Sequence, residues 1–153
     1  MTVTQADIDI YAELTNDFNP LHVDSEFAAG TPMGATIAHG TLSVNLIWQS
    51  LARTFGAAAL QGIALDIRFL KPLYANGAIT AGGQRDAQDP QRVEVWVNGA
   101  DGVPLIAGHA RLPHGAPPWM ETVRVTFPRY NRTADELCVT EIAHVAWAVQ
   151  MST

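Results

Sequence analysis

Asp17 and His22 stand five residues apart across the dipeptide Asn19-Pro20, near enough for both side chains to reach one water molecule. A carboxylate and an imidazole on one water form a general acid/base pair, typically worth about 10²- to 10⁴-fold in rate. The same spacing also suits an Asp17 that caps a turn and a His22 satisfied within the core. Further along, Ala38-His39-Gly40 introduces an apolar run. At the N-terminus of a helix, Gly40 offers an unpaired backbone N–H and the positive end of the helix dipole to a developing oxyanion. Lacking a side chain, it lets a ligand approach the backbone, although a glycine that merely starts a helix reads the same way. His22 and His39 with Asp17 or Asp24 invite a metal reading. No His-x-x-x-His pair or dense ligand cluster supports it, and no metal is expected. Ser43 and Ser50 lack the Gly-x-Ser-x-Gly elbow of a serine hydrolase. Cys138 falls on the apolar side of a predicted helix and reads as core rather than nucleophile.

These residues need elements to hold them. No formally charged residue lies between Glu26 and Arg53. The helix expected from Thr41 through Leu42, Val44, Leu46, Ile47, Leu51 and Ala52 is therefore enclosed by the rest of the protein, with Gly56 as its stop. Before it, Thr4 and Asp7 mark the start of a first helix that ends near Thr15 or Asn16. Pro20 forbids a regular helix at Asn19, so Asp17 to His22 is predicted as a loop. Asp24 and Gly30 bracket one short helical turn.

After Gly56 the periodicity changes. Ile63 to Leu70 alternates partly. Gly77 to Arg85 is a weaker strand in which Gly82-Gly83 suggests a bulge or a close approach. Arg92 to Val97 alternates cleanly, Asn98-Gly99 signals a hairpin, and Pro104 to Leu112 returns. The expectation is an α+β fold in which an antiparallel meander curls round one long helix. From His114 a Pro-rich link leads to a predicted strand at Glu121 to Phe127 and a helix capped at Thr133 to Glu136.

The 153 residues suit one domain, and the charge of −6 opposes a nucleic-acid role. Arg124, Arg129 and Arg132 form a basic cluster too small to reverse that. The charge-free run is long enough to cross a membrane, but it carries Pro32, His39, Asn45, Gln49 and several glycines, so no span is expected. One cysteine gives no disulfide framework, and Met1 to Asp7 lacks the basic and apolar regions of a secretory signal. A cytoplasmic protein is expected. The low charged fraction, 16%, suggests that some apolar surface enters an oligomer interface.

Three blocks carry a specific likeness: Tyr11-Ala-Glu-Leu-Thr-Asn-Asp17-Phe-Asn19-Pro20-Leu-His22-Val-Asp24, then Ile37-Ala-His39-Gly40, then Arg68-Phe69-Leu-Lys71-Pro72-Leu-Tyr-Ala-Asn-Gly77. In this order they resemble the MaoC-like dehydratase family, and within it the (R)-specific enoyl-CoA hydratases. The resemblance implies a hot-dog fold and reversible hydration of a trans-2-enoyl thioester to an (R)-3-hydroxyacyl thioester. It implies no cofactor, because coenzyme A belongs to the substrate. Asp17 and His22 match the catalytic dyad, and Gly40 matches the residue whose N–H binds the thioester oxygen. Asn19 and His39 are carried over in support. Asn16 and Ala78 depart from the family pattern at loop positions, and the family's leading strand is shortened or missing. Trp48 lies where related hydratases carry a smaller polar residue, and reads either as a wall of the acyl pocket or as core.

The resemblance divides the chain into a hot-dog domain over residues 1–113 and a C-terminal extension over 114–153, expected to pack on the same domain or dimer. The implied partners are an acyl-CoA or acyl-carrier-protein thioester and a second copy of the chain in a homodimer or higher homo-oligomer. Two rivals share the fold: a non-catalytic subunit that binds acyl thioesters or a partner, and a thioesterase. The presence of Asp17 and His22 opposes the first, and the dyad with Gly40 opposes the second.

Overall fold

A computed structural model of the chain describes residues 1–113. The predicted strand and helix beyond Glu121, Cys138, the three arginines and the extension as a whole lie outside the described residues.

Thr2–Val3 forms a two-residue strand, β1, and Gln5–Thr15 the first helix, α1. The predicted cap is present as a full capping box: the Thr4 hydroxyl accepts from the Asp7 amide while the Asp7 carboxylate accepts from the Thr4 backbone. Asn16 ends the helix in the left-handed region at φ 53°, a conformation asparagine tolerates better than most residues. The segment expected to be a loop is partly helical. Pro20–Val23 makes one turn, α2, because proline is tolerated at a first helical position and the Asn19 side chain caps the turn by accepting from the Leu21 amide. Ser25–Ala29, α3, follows between Asp24 and Gly30 as predicted.

The central helix, α4, spans Gly40–Phe55 and stops at Gly56. A 3₁₀ turn over Ala57–Leu60 leads into the strands β2 (Ala64–Phe69), β3 (Gly77–Arg85), β4 (Arg92–Gly99) and β5 (Pro104–Arg111). All pairings are antiparallel, in the spatial order β1-β3-β4-β5-β2. This corrects the simple meander. Only β3, β4 and β5 follow one another, whereas β2 crosses to the far edge and pairs with β5. Local alternation reveals that a strand has one buried face but carries nothing about its neighbour.

Two further details differ from expectation. The hairpin reverses at Ala100 to Gly102 rather than at Asn98-Gly99, with the Gly99 amide donating to the Val103 carbonyl at 2.9 Å. The glycine pair in β3 is a close approach, not a bulge. A Cβ at Gly82 would meet the Trp96 indole at 2.9 Å, while the register shift falls in β4 at Val97/Asn98.

Alternation in β4 buries Val93, Val95 and Val97 on one face. They join Ile79 and Ile106 against Val44, Ile47, Leu51 and Phe55 of α4 in one core. That packing fixes the orientation of α4, and so decides where its first residue, Gly40, is presented. Among the described residues, no helix is long and apolar enough to cross a membrane.

Candidate active site

The end of α1 anchors Asp17: its amide donates to the Ala12 carbonyl at 3.0 Å. Its carboxylate accepts from the Asn19 amide at 3.3 Å, so the side chain is turned back over α2 while remaining 55% exposed. Asn19 therefore steadies the loop twice, by this bond and by capping α2.

His22 sits on α2 with Nδ1 2.8 Å from the Ile37 carbonyl. The segment bearing that carbonyl is held from both sides: the Ile37 amide donates to Leu21, and the Ala38 amide donates to Leu73 at 2.7 Å. His39 follows, only 2% exposed, with Nε2 2.9 Å from the Asp17 carbonyl. The two imidazoles stack, tilted by 33°, with centroids 3.9 Å apart, and the Tyr11 ring lies 5.2 Å from that of His39.

Asp17, His22 and His39 thus bring their donor atoms within 4.8 Å of one another. This is the dense cluster that sequence spacing did not show. A carbonyl oxygen can only accept, so Nδ1 of His22 and Nε2 of His39 each carry the proton of their bond. Nε2 of His39, the atom facing the Asp17 carboxylate at 3.9 Å, is thereby spent. The ring nitrogens left with lone pairs are Nε2 of His22 and Nδ1 of His39. Burial, which disfavours the charged form, lowers the pKa of His39 against the opposing bond to the Asp17 carbonyl. The neighbouring His22 lowers it further.

His22 and Gly40 line the same cleft, of about 310 Å³, with Met33, Ser43, Phe69 and Lys71 also on its walls. Gly40 is the first residue of α4, so its amide belongs to the turn whose N–H groups have no intrahelical acceptor. A Cβ there would lie 2.7 Å from the exposed Phe69 ring, so a side chain at this position would have to displace that ring. Trp48 stands apart. It packs against the core, its indole N–H is buried without a partner among the described residues, and it does not line the cleft.

Sequence reasoning missed Gln5, which ties the site together. Its side-chain amide donates to the His22 carbonyl at 2.8 Å and its oxygen accepts from the Thr36 hydroxyl at 2.6 Å. Nothing in the local sequence marks it, because both partners are distant along the chain. Ser43, which lacks the sequence context of a nucleophile, is a buried polar wall of the cleft.

Residues 1–102 match the family model described as MaoC like domain. Over 71 residues the chain is 34% identical to the 3-hydroxybutyryl-CoA dehydratase of Methylorubrum extorquens, covering 46% of this chain and 45% of that protein. Over 76 residues it is 32% identical to the (R)-specific enoyl-CoA hydratase of Aeromonas caviae, covering 50% of this chain and 57% of the relative. The aligned stretch spans about half the length of each of these curated relatives. Among solved structures, the (R)-hydratase from A. caviae superposes with a TM-score of 0.61 at 25% identity, over 74% of this chain and 90% of that one. The R-hydratase PhaJ1 from Pseudomonas aeruginosa gives 0.63 at 24% identity, over 73% and 74%. The helix and sheet described above are the hot-dog fold of these neighbours. With two thirds of its length matched by the family model, the chain belongs to the MaoC-like dehydratase family.

Proposed function

We propose that this chain catalyses reversible addition of water to a trans-2-enoyl thioester, forming the (R)-3-hydroxyacyl thioester, with coenzyme A as the carrier. The observation that carries the reading is the clustering of the Asp17 carboxylate and the His22 imidazole, with ligand atoms within 4.8 Å, where His22 also lines a cleft that presents the N-terminus of α4 at Gly40. A water held between Asp17 and His22 loses a proton to one of them as its oxygen bonds to C3. The C2–C3 π electrons move toward the thioester carbonyl, and C2 takes a proton from the same pair. The carbonyl oxygen gains charge on the way and takes a hydrogen bond from the Gly40 N–H, an effect worth about 3 kcal/mol of barrier. This chemistry asks for no cofactor beyond the carrier already on the substrate.

The names of the relatives support the reaction class. The exposed Lys71 on the cleft wall offers a cation to the carrier's phosphates. The net charge of −6 favours coenzyme A over an acidic carrier protein. A homodimer is part of the same reading, supported by the edge of β2, which pairs on one side only among the described residues, and by the exposed Phe69 and Leu70 at its end. So is a cytoplasmic setting, which a single cysteine suits.

The test is to mix the purified protein with crotonyl-CoA and follow the ultraviolet absorbance of the enoyl thioester, with Asp17→Asn as control. A decrease that the substitution abolishes supports the reading. No decrease with crotonyl-CoA, longer enoyl-CoAs or carboxylated ones, from a folded protein, overturns it.

A further inference from the structure

His39 carries an unusual cost. Its Nδ1 is buried with no hydrogen-bond partner among the described residues, a lone pair stripped of water with nothing in return. A phenylalanine would fill the same space and stack on His22 and Tyr11 without that penalty. What only a histidine-like donor supplies here is the Nε2–H that holds the Asp17 carbonyl at 2.9 Å.

We infer that His39 is a positioning residue that sets both members of the acid/base pair at once. Its edge fixes the peptide that follows Asp17, and its face, 3.9 Å from the His22 ring, is the wall that orients His22. The inference rests on the hydration reading for its effect on rate, but not for its structural content. Asp17 needs the clamp because its side chain is more than half exposed and, among the described residues, accepts a hydrogen bond from the Asn19 amide alone, at 3.3 Å. Neutrality matters because a second cation stacked on His22 would weaken its basicity. The groups facing His39 are Asp17 from the loop after α1, Tyr11 from α1 and His22 from α2. Its depressed pKa is consistent with the neutral form.

The experiment compares His39→Phe and His39→Gln, the second keeping an N–H donor at the Nε2 position, by turnover of crotonyl-CoA, urea unfolding and ¹⁵N spectra of the imidazoles. His39→Phe should lower kcat on the order of 10²-fold, the scale of a misplaced reacting group, with KM little changed and stability equal or higher. His39→Gln should recover most of the loss. In the wild type, His39 should appear as the neutral Nε2–H tautomer throughout the neutral range. The inference is overturned if His39→Phe turns over normally, if its rate and stability fall together, if His39→Gln is no better, or if His39 titrates near the ordinary histidine value. Should the wild type hydrate no enoyl-CoA, the proposed function fails alone, and the tautomer and stability measurements still decide the role of His39.

Discussion

One nitrogen of His22 is committed to the Ile37 carbonyl and one ring face to His39, which leaves a single nitrogen for chemistry. A side chain so constrained acts in one geometry, so its removal should cost rate far more than stability. His22→Ala and Asp17→Asn are each expected to lower hydration by about 10²- to 10⁴-fold. Asp17→Asn, at an exposed side chain, should move the unfolding free energy by no more than about 0.5 kcal/mol, as urea titration would check. Gly40→Ala brings a Cβ 2.7 Å from the Phe69 ring and should cost on the order of 10²-fold in kcat, measured at saturating thioester. The pH dependence follows from His39, whose pKa lies below the ordinary 6.5. The unfolded chain takes up this proton at a higher pH than the native one, so native stability is complete above 6.5. It declines as pH falls from there through the folded value. Urea midpoints measured across that window should show the decline, and His39→Gln should flatten it.

At the scale of elements, what could be read from the sequence was what is locally encoded. Thr4 with Asp7, Asp24 with Gly30, and the stop at Gly56 each pair a cap with its helix inside a few residues, and each stands where expected. Asp17, His22 and Gly40 stood out by spacing, which left their roles open, and took those roles only from the family resemblance; the structure brings His22 and Gly40 to one cleft. The burial of His39, the bonds of Gln5 to His22 and Thr36, and the crossing of β2 to the far edge were not legible, because each depends on chain that is distant in sequence. The turn at α2 was missed through a competing rule: Pro20 excludes a helix before it yet favours one beginning at it. Thr4→Ala removes the hydroxyl of the capping box and should destabilise α1 by about 1 kcal/mol in urea unfolding. Since Gln5 opens that helix, the same substitution should loosen the hold on His22, visible as a change in its ring resonances.

For the molecule as a whole, the core beneath α4 is the common support of both halves of the site. Ile47 is fully buried there, so Ile47→Ala should cost about 2–5 kcal/mol, and thermal melting would register it as an early, cooperative unfolding. Phe69 connects this body to its surroundings in another way. It ends the edge strand β2, is 57% exposed, and still rests its ring against Gly40. Anything that pairs with that edge and anything that binds at the start of α4 therefore act on one shared ring. Two equilibria that share a movable part are thermodynamically linked, and each must shift the other by the same factor. For the proposed homodimer, paired through that edge, the dissociation constant should accordingly depend on thioester concentration, and dilution of the protein should alter its apparent affinity for the thioester.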